Sequence, residues 1–198
     1  MFRLFETILV KNKSFQNIQY HNQRLNDSRK KWWNISEVYF LEKNIEIPAN
    51  LEQELYRCRV TYDADIHKVE FIPYKPSVIT TLQLVICNDI NYEYKFENRE
   101  IFRKLKKDVD KDDILIIKNG LITDTSIANI VFRKGQSWFT PRVPLLGGTQ
   151  RQKLLQEKRI QLLDISPENL DYFEAFKLIN ALRTFDSIEE IECKYISR

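Results

Sequence analysis

Between Asp112 and Pro141 the chain reads DDILIIKNG, LITDTSIANIVF and RKGQSWFTP. These are apolar, β-prone stretches joined by Asn119-Gly120 and Lys134-Gly135. Asn-Gly is a strong hairpin signal, because a type I′ turn needs positive φ at both central positions. This segment therefore folds as tightly turned strands, and the half of the chain around it is rich in antiparallel sheet. The hairpins use two of only 4 glycines in 198 residues, where average usage would give roughly 14. Such scarcity excludes a collagenous chain, a Gly-rich linker and a low-complexity tail. It also implies that each glycine meets a specific backbone need.

The rest of the chain divides around Pro73, Pro76 and Ser77, which interrupt the pattern and mark the boundary between residues 1–75 and 76–198. Before it lie a strand over 2–10, a helix over 20–33, a short helix over 51–55, and two β arms, 56–61 and 68–73, around Asp63–Asp65. After it come a strand over 78–87, a helix over 98–107, the hairpin stretch and a helix continuing over 152–158. The C-terminal third opens with the acidic helix start SPENLDYF and continues with apolar segments around 176–182 and 188–195. The sequence thus predicts an α+β protein with a small N-terminal domain and a larger β-rich one.

Charge and cysteine content narrow the functional classes. Lys and Arg number 31 against 28 Asp and Glu, a net charge of +3, short of the basic footprint of a nucleic-acid binder. The basic clusters at 29–31 and 103–107 do not form a stripe, and RKLKKDVDKDD changes sign as a solvated helix end does. No apolar run is long enough to span a membrane, and the N-terminus lacks the features of a signal peptide. Three scattered cysteines and two histidines do not fit a disulfide framework or a zinc site, so no metal is expected. The chain reads as reduced and cytoplasmic.

Four constellations could carry chemistry. In PLLGGTQRQKLL a loop runs into a helix at Gly147–Gln150, where backbone N–H groups, a hydroxyl and the helix dipole suit an anion; an N-cap at a plain tight turn is the alternative. Lys95 lies among Tyr92, Tyr94 and Phe96 in YKFENREIFRKL. There a desolvated amine could act as a nucleophile toward a carbonyl carbon, although a surface lysine is the commoner case. His21 and Arg24 in HNQRL share a helix face, and Arg24 could fork onto an oxyanion or simply sit at the surface beside a satisfied histidine. Asp124 in ITDTSIANIVF is a carboxylate in a strand, which needs a cation or donors unless it lies at an edge or turn.

Taken together and in this order, HxxRL, KxxNR, ITDTSIANIVF and GTQR resemble the motifs of the class IV, fold type IV, pyridoxal-phosphate (PLP) enzymes. FETILV, residues 5–10, is similar to the family's FETIRV. The resemblance spans residues 2 to about 190 and implies a two-domain fold, a small α/β domain followed by a β-rich pseudo-barrel. It implies PLP as cofactor, with Lys95 as its covalent anchor and proton-shuttling base. Arg24, Gly148, Thr149 and the N–H groups of Thr149 and Gln150 would bind its phosphate. Asp124 would stand at the pyridine nitrogen, where the family usually carries the longer Glu. Asn129 would support the strand or pocket. The departures are Leu9 in place of the family's Arg, Gln150 before Arg151, and a chain that begins later than members usually do.

KxxNR, and KLINAL at 177–182, are similar to 4-amino-4-deoxychorismate lyases. The resemblance therefore implies release of 4-aminobenzoate and pyruvate, a step of folate synthesis, by a homodimer acting on a small molecule and binding no nucleic acid or membrane. The alternatives are an aminotransferase for branched-chain or D-amino acids with a 2-oxo acid acceptor, and, in another class, a non-catalytic relative or RNA-binding module.

Overall fold

The computed structural model describes residues 2–52 and 54–198. The chain forms two compact units. The first runs to Pro76 and takes in Tyr94–Asn98; the second comprises Ser77–Glu93 and Arg99–Arg198.

In the first unit, β1 (Leu4–Lys11), β2 (Ser14–Phe15), α1 (Ile18–Trp33), α2 (Leu41–Asn44), β3 (Leu55–Tyr62) and β4 (Ile66–Pro73) follow in chain order. The strands form an antiparallel sheet in the order β2-β1-β3-β4. β1 and β3 pair from Leu4 opposite Tyr62 to Lys11 opposite Leu55. Because side chains alternate across a strand, Leu4, Ile8, Val10, Tyr56, Cys58 and Val60 share one buried face, packed in one core with Leu25 of α1. The short helix lies at Leu41–Asn44, not over 51–55. Residue 53 lies outside the described residues, and Leu55 already opens β3, whose position between β1 and β4 overrides local helix propensity. Residues 94–98 lie along the start of β1. The Phe5 N–H donates to the Lys95 carbonyl at 3.0 Å and the Glu97 N–H to the Arg3 carbonyl at 2.9 Å, while Leu4 and Phe96 form a β-bridge.

The second unit contains β5 (Leu82–Ile86), α3 (Glu100–Lys106), β6 (Asp113–Lys118), β7 (Leu121–Thr125), β8 (Asn129–Lys134), β9 (Ser137–Pro141), α4 (Thr149–Gln156), β10 (Gln161–Leu163), β11 (Ala175–Ile179), β12 (Ile191–Glu192) and β13 (Ile196–Ser197). Its sheet runs β10-β9-β8-β7-β6-β5-β13, with β11 paired to β8 and β12. The expected hairpins are present, and Asn119 and Gly120, at φ 51° and 78°, give the type I′ geometry. Three pairings are parallel: β5 with β6, β13 with β5 and β10 with β9. The strand expected over 78–87 shortens to Leu82–Ile86, and SPENLDYF forms a 3₁₀ turn over Pro167–Tyr172. Leu82, Leu115, Ile130, Phe132, Phe176 and Leu178 centre the core. β7 and β8 meet in register at a single pair, Asp124 opposite Asn129.

No helix among the described residues is long and apolar enough to cross a membrane.

Candidate active site

Glu6 is a carboxylate on the apolar face of β1, between Leu4 and Ile8, with no solvent exposure. It persists there because α1 supplies donors. Arg24 Nε donates to Oε1 at 2.8 Å and Arg24 Nη2 to Oε2 at 2.6 Å, while His21 Nδ1 lies 2.6 Å from Oε2. His21 and Arg24 are three residues apart, so one helix face presents both to the same acceptor. Burial alone would raise the Glu6 pKa, but the Arg24 guanidinium and the bonds from His21 and Arg24 overcome it and hold it at about 2. Burial lowers the His21 pKa against the pull of Glu6. The ring is therefore neutral, with Nδ1–H donating to the carboxylate, and Nε2 has no hydrogen-bond partner among the described residues.

Lys95 is held in this unit by its backbone, through the bond from Phe5, and its Nζ lies 4.7 Å from the Phe5 ring centroid. Arg59 lies against the same ring, 4.1 Å from the centroid, and bonds Glu97 at 3.1 Å. Phe5 of β1 is thus an aromatic ring beside the Lys95 amine that the sequence did not point to.

The second unit brings together Asp124, Asn129 and Gly148–Arg151. Asp124 is buried at the end of β7. Asn129 Nδ2 donates to its Oδ1 at 2.8 Å and the Leu146 N–H to its Oδ2 at 2.9 Å. Burial raises its pKa to about 6, against the lowering effect of these donors and of the Arg151 charge. Arg151 is buried and ties α4 to β9 by donating to the Pro141 carbonyl at 2.9 Å. Gly148 is the N-cap of α4, and Thr149 and Gln150 are buried in its first turn. First-turn N–H groups have no intrahelical acceptor, which gives this end its anion-binding character. Asn180 of KLINAL braces the β7–β8 connection, its Nδ2 donating to the Ile127 carbonyl at 3.1 Å. Among the described residues no cluster of His, Cys, Asp or Glu could hold a metal ion.

Glu6 and Asp124, both buried, are shifted in opposite directions. Glu6, lowered from 4.5 to about 2, stabilises its unit fully above pH 4.5, an effect lost as pH falls toward 2. Asp124, raised from 3.8 to about 6, stabilises its unit below pH 3.8, an effect lost as pH rises through 6. Each effect is about 3 kcal/mol by proton linkage. Urea unfolding followed by the indole NMR signals of Trp32 and Trp33 in one unit and Trp138 in the other is expected to show this. The first midpoint falls on acidification below pH 4.5, and the second rises between pH 6 and 4. Midpoints moving together would contradict the assignment.

The amino-transferase class IV family model matches residues 95–191, from the candidate lysine to the start of β12. An uncharacterized protein of Haemophilus influenzae is 40% identical over 185 residues, covering 92% of this chain and 98% of its own. A Haemophilus somnus crystal structure, provisionally named 4-amino-4-deoxychorismate lyase, superposes with a TM-score of 0.85 at 37% identity, covering 93% of this chain and 98% of that one. The fold is also shared with a PLP-bound aminotransferase from Mycobacterium tuberculosis, described as hypothetical, at a TM-score of 0.76 and 12% identity, covering 96% of this chain and 79% of that one. Family model and full-length relatives agree: this chain belongs to the class IV aminotransferases.

Proposed function

We propose that the chain is a PLP-dependent 4-amino-4-deoxychorismate lyase. Dependence on PLP is a property of its family. The observation that carries the reading is Asp124, a buried carboxylate whose hydrogen-bond donors, the Asn129 amide and backbone N–H groups of Leu145 and Leu146, are all uncharged, and whose pKa burial has lifted to about 6. Such a group is best satisfied by a cationic N–H, and a protonated pyridine nitrogen is one. The helix start behind Gly148 supplies the matching anion site, so the donor set fits the cofactor. The choice of lyase is supported by the 37% identical Haemophilus somnus protein and its name.

When bound, PLP supplies an electron sink for negative charge at the carbon bearing the substrate amine. The Thr149 hydroxyl and the N–H groups of Thr149 and Gln150 would bind the phosphate, a role the family resemblance also gives to Arg24, whose guanidinium Glu6 fixes to β1. Asp124 holds the proton on the ring nitrogen. Lys95 Nζ is the attachment point and the base: it takes the proton from the ring carbon carrying the amine and returns one to the departing three-carbon unit. That unit leaves as pyruvate, and the substrate ring becomes aromatic as 4-aminobenzoate.

The test is incubation of PLP-loaded protein with 4-amino-4-deoxychorismate and no amino acceptor. Equal amounts of 4-aminobenzoate and pyruvate are expected. No release here, but amino transfer between an amino acid and a 2-oxo acid, would replace the lyase with an aminotransferase. Failure to bind PLP would overturn the enzyme reading.

A further inference from the structure

Gly148 is not at a positive φ: its backbone is extended, at φ −68° and ψ 142°, a conformation any residue adopts. Its need for glycine is instead a matter of space. A Cβ built on Gly148 would lie 1.9 Å from Asn129 Oδ1 and 3.1 Å from Asn129 Cγ, and the next atom, at 3.8 Å, is Asn129 Nδ2. The Asn129 side chain thus occupies the place of the missing methyl group. From that place its Nδ2 donates twice, to Asp124 Oδ1 at 2.8 Å and to the Leu146 carbonyl at 2.9 Å. Asp124 and Asn129 are also the single registered pair between β7 and β8. One amide therefore touches the carboxylate, the loop leading to α4 and the N-cap of α4.

We propose that Asn129 is a positioning residue that fixes the Asp124 carboxylate and makes its setting depend on glycine at position 148. The backbone N–H of Leu146, on the same loop, holds the other carboxylate oxygen, so movement of that loop reaches both oxygens of Asp124. The charged group acting on Asp124 from α4 is Arg151, whose guanidinium is engaged by the Pro141 and Arg142 carbonyls. Arg151 therefore supplies background field, and Asn129 and the backbone of Leu145 and Leu146 supply the directional bonds. The catalytic meaning of this link rests on the proposed role of Asp124 at the cofactor nitrogen; the link itself is a property of the chain without cofactor.

The experiment is a double-variant cycle on the cofactor-free full-length chain, with two readouts: urea unfolding, and the titration of the Asp124 carboxyl carbon by NMR. Asn129→Ala removes one donor from the ionised carboxylate, and the Asp124 midpoint is expected to move up by about one pH unit, the worth of one charge-assisted hydrogen bond. Gly148→Ala displaces the Asn129 amide and is expected to shift the midpoint in the same direction and to lower stability. In the Asn129→Ala background the Gly148→Ala methyl meets no side-chain amide, so adding it is expected to leave both midpoint and stability unchanged. If Gly148→Ala alone does not fold, recovery of a folded double variant carries the same result. The proposal is overturned if Gly148→Ala costs as much in the Asn129→Ala background as in the wild-type chain, or if neither single variant moves the Asp124 titration. Because no cofactor or substrate enters the experiment, failure of the lyase reading would leave the link standing, and failure of the link would leave the lyase reading standing.

Discussion

Replacing Glu6 with alanine is expected to destabilise the first unit by about 3–5 kcal/mol, the usual cost of removing one partner from a buried ion pair. The physical reason lies in what remains. Arg24 would keep its charge beside a cavity, and His21 would lose the acceptor that fixes its Nδ1 proton. A loss of this size is a large share of the roughly 5–15 kcal/mol typical of a whole domain. The midpoint of urea unfolding at neutral pH measures it, with the Trp32 and Trp33 indole signals as reporters. Glu6→Gln keeps the shape but places an amide donor opposite existing donors, so it should recover only a small part of the loss. A loss below about 1 kcal/mol for Glu6→Ala, the worth of an ordinary exposed pair, would mean that the carboxylate is not confined as described.

Lys95→Ala is expected to leave the fold intact and to remove catalysis. The backbone of residue 95, not its side chain, accepts the bond from Phe5, so the segment remains attached to β1. Loss of the positioned base alone predicts a fall in turnover of about 10²–10⁴-fold, and loss of the attachment point adds to it. Two measurements check the assignment: the rate with substrate, and recovery of the cofactor-bearing peptide after borohydride reduction of wild-type protein loaded with PLP. A labelled peptide from another lysine, or a variant that keeps its rate, would remove Lys95 from its proposed role.

What could be read from the sequence follows the range of the interactions involved. The Asn119-Gly120 hairpin was legible because its signal is contained in two residues and one backbone geometry. The parallel pairing of β5 with β6 was not, since their connection carries α3 and nothing in either strand names its neighbour. SPENLDYF carries a helix-start composition, yet Pro167–Tyr172 turns as 3₁₀ and leads directly into Phe173, a core residue. Asp124 stood out as a carboxylate within an apolar strand. Glu6 stands in a similar setting in FETILV, but its meaning depends on the packing that brings β1 to His21 and Arg24 of α1. Scarcity of glycine points to a specific need at each one, but the cause at 148 is steric, and the side chain of Asn129 that sets it lies nineteen positions away in the chain and leaves no local trace.

The passage of residues 94–98 along β1 bears on how the protein is made. A ribosome releases β1 early, together with α1 and the β3–β4 hairpin that complete its sheet. The Phe5 N–H and the Arg3 carbonyl, however, take their partners from Lys95 and Glu97, which emerge only after β5 of the other unit. The edge of β1 is therefore completed late in synthesis, by the same short segment that delivers the lysine. A nascent chain stopped at Pro76 would carry Glu6 of β1 and His21 and Arg24 of α1, and would hold no amine beside Phe5. Placing Lys95 is in this sense one of the last steps in building the first unit.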